Sequence, residues 1–98
     1  VPASRLPALD FDVYGLGGRL LGCSEIAFPE YRVVQEYEGD HHRTDTGQWN
    51  RDVQKHRDYA RAGWDVIRVT SELLYRRRAE LRAQTFDALV KGGWTPPC

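Results

Sequence analysis

The 98 residues carry fourteen basic and fourteen acidic side chains, with 41% hydrophobic and 29% charged residues, which sets the scale of one soluble domain with a modest core. No apolar stretch approaches the roughly 20 residues that span a bilayer, and the N-terminus lacks the basic-then-apolar pattern of a signal peptide, so the cytoplasm is the expected compartment. Charge is unevenly distributed: three basic against seven acidic residues precede position 43, and eleven against seven follow from Arg43 onward. With no Met in the chain, Val1 reads as an internal residue of a longer polypeptide or as a non-standard start. Cys23 and Cys98 are too far apart in sequence for a disulfide framework or a zinc-site spacing, and free Cys is expected to behave as a small buried hydrophobe.

Leu9 to Tyr14 alternates apolar and polar residues with period two, and Gly15-Leu16-Gly17-Gly18 supplies a turn, so a hairpin opens the domain. A phosphate loop is not indicated, because no Lys-Ser/Thr pair and no helix pattern follow the glycines. Residues 19–28 and 31–38 are two further strands joined at Pro29-Glu30. If those two residues form the loop, Phe28 faces Tyr31, Glu25 lies opposite Val34 and Cys23 opposite Glu36. Glu25 then shares a sheet face with Glu36 and Glu38, and diagonal neighbours about 7–8 Å apart can close their carboxylates onto one ion.

The third strand runs into Glu36-Tyr37-Glu38-Gly39-Asp40-His41-His42, the segment richest in chemistry. Glu36 and Glu38 point to one side of a strand, where two carboxylates repel unless a cation or proton lies between them, which points to a divalent metal. Asp40 and Asp45 read as ordinary loop residues, and a solvated turn is the plain alternative for the whole segment.

Asp45 or Thr46 is placed to cap a helix with Trp49, Val53, His56 and Ala60 at helical spacing, ended by Gly63. His56 belongs to that half-buried stripe, with Asp52 one turn earlier. Trp64 to Thr70 reads as a fourth strand. Ser71 then caps a long final helix with Leu74, Leu81 and Ala88 a heptad apart and Phe86, Leu89 and Val90 on its apolar face, stopped by Gly92-Gly93. The chain is thus one domain over 1–98, with a core of about 9–92 and a tail at 93–98. It is an α/β fold on a mixed four-stranded sheet with flanking helices, in the order βββαβα. A basic patch for a polyanion is available from Arg43, Arg51, Lys55, Arg57, Arg61 and Arg76-Arg77-Arg78. Trp49 and Trp64 suit core packing better than base stacking.

The run from Glu25 to His42, followed by Trp49, Arg51-Asp52 and Gly63-Trp64-Asp65-Val66-Ile67-Arg68-Val69, resembles the very-short-patch-repair (Vsr-like) endonuclease group and its relatives in the PD-(D/E)xK nuclease superfamily. The resemblance covers about residues 10–75 and implies a restriction-endonuclease-like core whose leading helix is missing here. It implies DNA as partner, and hydrolysis of a phosphodiester with Mg²⁺, or Mn²⁺ in its place, held by Glu25 and Glu36. Glu38 stands where most of the superfamily has Lys, His42 closes the motif as acid or base, and Arg43 and Arg51 contact DNA. Two positions depart from the pattern: Glu25 and Glu38 each stand where Asp is common. With the missing helix, these departures favour a second reading, a catalytically impaired nuclease-fold module that binds DNA or a partner within a longer regulatory or toxin-antitoxin-like protein. Without that helix one sheet face is less covered, and pairing as a homodimer is one way to bury it. A third reading is an assembly domain.

Overall fold

The computed structural model describes residues 7–38 and 46–96, the side chains of Thr46, Gln48 and Trp49 excepted. The period-two segment forms β1 (Ala8–Tyr14), which pairs antiparallel with β2 (Leu20–Phe28) across the glycine turn. Gly18 takes φ 82° there, a conformation that costs a glycine little. Next, β3 (Val33–Glu38) pairs antiparallel with β2, α1 (Thr46–Arg61) crosses over, and β4 (Asp65–Thr70) pairs parallel with β3. Two helices close the chain, α2 (Ser71–Tyr75) and α3 (Arg78–Lys91). The sheet order is β1-β2-β3-β4 and the element order βββαβαα, an α/β fold on a mixed four-stranded sheet that is compatible with a restriction-endonuclease-like core.

Alternation along the strands sends two apolar sets to opposite faces. On one face Val13, Ala27 and Val34 pack with Tyr59 of α1, supported by Phe11, Leu21, Trp64 and Val66. On the other, Val33, Ile67 and Val69 pack with Ala88 of α3, supported by Phe28, Tyr31, Leu74, Leu81 and Leu89. Trp64 therefore serves the core, its ring 6.1 Å from that of Phe11.

Four expectations need correction. First, Phe28 pairs with Val33 and Ala27 with Val34, so the β2–β3 register is displaced by two residues, and Glu25 does not lie opposite Val34 nor Cys23 opposite Glu36. The cause is the connection: Pro29–Tyr31 forms a 3-10 turn and Arg32 takes the left-handed conformation (φ 56°), returning its N–H to the Pro29 carbonyl, so the loop consumes more than Pro29 and Glu30. Second, the long final helix is broken. Arg77 leaves helical geometry (φ −130°, ψ 43°), and its guanidinium reaches back to Glu72 and forward to Glu80. The break turns α3 back across the sheet while keeping Leu74, Leu81 and Ala88 in one core. Third, Thr70 rather than Ser71 caps α2, its hydroxyl accepting from the Leu73 N–H at 3.2 Å. Fourth, Cys23 is exposed.

Candidate functional site

A strand passing between an antiparallel and a parallel neighbour is covered on both sides, and β3 carries its acids into that setting. Glu36 is 8% exposed and lies on the α1 side of the sheet with Val34, opposite Arg68 of β4 in the parallel register. A carboxylate so far from water needs a partner. Lys55 supplies it: Nζ lies 2.6 Å from Glu36 Oε1 and donates to the Cys23 carbonyl at 3.0 Å. The ammonium also sits 5.6 Å from the centroid of the Tyr59 ring, and Ser24 Oγ donates to Tyr59 Oη at 3.0 Å. Room for both helix residues comes from Gly22, where a Cβ would lie 3.0 Å from Lys55 Cε and 3.0 Å from Tyr59 Oη.

His56, next to Lys55 on α1, completes the cluster with Nε2 3.9 Å from Glu36 Oε1, beyond hydrogen-bond reach. Its Nδ1 is buried without a hydrogen-bond partner. Burial, then the charge of Arg68, with Lys55 behind it, push the imidazole below its ordinary value against the pull of Glu36 and Asp52, which favours the neutral form. Burial also works against the Lys55 ammonium, but the hydrogen bond and charge of Glu36, aided by Tyr59 and Asp52, outweigh it and hold the lysine above its usual value.

The second strand acid, Glu38, is half-buried and ion-paired with Arg68. Glu25 is exposed, one residue past the last β2–β3 rung, Ile26↔Gln35. Strand alternation breaks there: Ser24 and Ala27, three residues apart, both meet Tyr59 of α1, and Asp10 on the adjoining strand takes φ 49°. The expected convergence of Glu25, Glu36 and Glu38 on one ion is thus replaced by separate pairing of Glu36 and Glu38 with protein cations. Among the described residues no group of three or more His, Cys, Asp and Glu side chains is placed to hold a metal ion. Arg51 is exposed on α1; His41, His42 and Arg43 lie outside the described residues.

Sequence reasoning missed Lys55 as the partner of Glu36 and counted it only among the phosphate-steering bases. Gly22 was the available signal, since a lone glycine within a strand marks a close approach. Sheet, crossover and paired acids together define an α/β protein with a polar, charge-paired centre between β3 and its crossover helix. No family model, curated protein or solved structure matches the chain. No helix among the described residues is long and apolar enough to cross a membrane.

Proposed function

We propose that this domain is a metal-dependent DNA endonuclease of the Vsr-like type, centred on Glu36. The observation that carries the reading is the burial of Glu36 beside an ammonium and an imidazole on the parallel β3–β4 pair, since in open α/β sheets ligands gather at the carboxyl ends of such strands. Mg²⁺ needs only one or two carboxylates, completing its shell with water and substrate phosphate, so Glu36 alone meets the minimum and Glu25, by the family resemblance, would be the second donor. When bound, the ion would polarise the phosphate and lower the pKa of an attacking water. Lys55 fixes the Glu36 carboxylate in one orientation and sets a positive charge where negative charge grows on the phosphate. By the family resemblance, His42 handles the proton of the water or of the leaving oxygen, and Arg43 and Arg51 contact the backbone.

One observation favours the second reading, a nuclease-fold module that binds DNA or a partner without cutting: Glu36 and Glu38 are already balanced by Lys55 and Arg68, so their repulsion alone demands no metal. A plasmid-nicking assay in Mg²⁺ and in Mn²⁺ separates the two, with Glu36→Gln and His42→Ala proteins prepared in parallel. Nicking by the wild type that both substitutions abolish is the expected result. Equal residual nicking in all three preparations would mark contamination and, with DNA binding intact in EDTA, would transfer the assignment to the binding module.

A further inference from the structure

The α2–α3 elbow offers a surface that the hydrolytic centre does not use. Tyr75, the last residue of α2, is 71% exposed, and with Ser71, Glu72 and Arg76 it lines an open groove of ≈ 540 Å³. Three arginines follow in succession. Arg77 is committed internally, its guanidinium 3.2 Å from Glu72 Oε1 and 2.6 Å from Glu80 Oε2, which neutralises both carboxylates and fixes the elbow. Arg76 and Arg78 are exposed and make no ion pair among the described residues, and Arg82, one turn beyond Arg78, is exposed as well. The elbow therefore presents a solvated aromatic ring followed by exposed guanidinium groups.

Its position matters. Glu38 stands on the same rung as Thr70, and Thr70 caps α2, so α2 leads off the carboxyl end of β4, two rungs beyond Glu36, and carries the elbow over the sheet face opposite α1. At 1.5 Å per helical residue the ring stands on the order of 10 Å from that end, about three stacked nucleotides at 3.4 Å each. An exposed ring gives a π face to a base, and the exposed arginines that follow it suit neighbouring phosphates. A paired base inside a duplex has no free face to offer.

We propose that Tyr75, with Arg76 and Arg78, forms a contact for single-stranded DNA off the same sheet end as the Glu36 centre, the tyrosine stacking on a base and the arginines holding phosphates. The assignment rests on the proposal that the domain acts on DNA and adds the strandedness of what it holds. Its test is fluorescence anisotropy with a labelled 20-nucleotide oligothymidylate and a blunt duplex of equal length, in EDTA so that binding is read without cleavage. Tyr75→Ala is expected to weaken oligothymidylate binding roughly tenfold, within the range for one base–aromatic stack, and duplex binding much less. Arg76→Ala/Arg78→Ala should lower the slope of log K against log salt by about 1.4 on the single strand, two phosphates' worth. Lys91→Ala, which removes an exposed charge from the far end of α3, should change neither by more than about twofold. DNA binding that the elbow substitutions leave at wild-type strength, or that Lys91→Ala weakens equally, would overturn the elbow contact and leave the DNA reading standing. Failure of the wild type to bind either DNA would overturn both.

Discussion

Glu36 and Lys55 depend on each other unequally. Lys55→Met would leave a carboxylate buried without its cation, and a loss of about 2–4 kcal/mol is expected from urea unfolding. Glu36→Gln keeps an oxygen for Lys55, which also has the Cys23 carbonyl and partial access to water, and should cost only about 1 kcal/mol. The double substitution should be less destabilising than the sum of the two, the sign of a direct pair. Gly22→Ala should cost about 1–3 kcal/mol, because its Cβ would press on Lys55 and Tyr59 from the strand below. His56 adds a pH dependence whose direction follows from its lowered value. As pH falls, the unfolded chain, with an ordinary value of about 6.5, takes up the proton before the folded one does. The contribution of His56 to stability is therefore level above about pH 6.5 and declines as pH drops toward the folded-state value. Urea midpoints between pH 7.5 and 5 should fall in the wild type and fall less in His56→Gln; identical profiles would show that the imidazole is solvated in the folded protein.

Among the elements, α3 ends in close approach to the β2–β3 connection. A Cβ on Gly92 would meet the Tyr31 carbonyl oxygen at 2.3 Å, which backbone cannot yield cheaply, whereas a Cβ on Gly17 in the hairpin would meet nothing within 4 Å. Gly92→Ala should lower the thermal midpoint clearly and Gly17→Ala should leave it within about 1 kcal/mol of wild type. Equal effects would mean that α3 docks elsewhere. The order of elements was legible in the sequence because each relies on a local pattern: period two in β1, the glycine turn, the 3.6-residue stripe of α1, and the β-branched run of β4. The register and the helix break were not, since each depends on an arginine acting against its usual reading. Arg32 takes a left-handed conformation normally given to glycine or asparagine, and Arg77 interrupts a helix without any glycine or proline at hand.

For the molecule as a whole, the sheet brings together what the chain keeps apart. Paired acids at the end of β3 were readable from their spacing, but not that Glu36 is the buried one. Its cation was not readable: Lys55 lies on the crossover helix, and only the fold of α1 over β2 and β3 carries it there, through the space left by Gly22. Glu25 shows the converse, being close to the acids by strand counting yet exposed where alternation breaks, one residue past the last β2–β3 rung. The account therefore stands on whether Glu36, already paired with an ammonium, also takes a divalent ion. Calorimetric titration of Mn²⁺ into the purified domain measures this directly and is blind to contaminating nuclease. The account predicts saturable binding of Mn²⁺ by the wild type that Glu36→Gln abolishes while the protein stays folded; no binding by the wild type, or the same binding by both proteins, would contradict it.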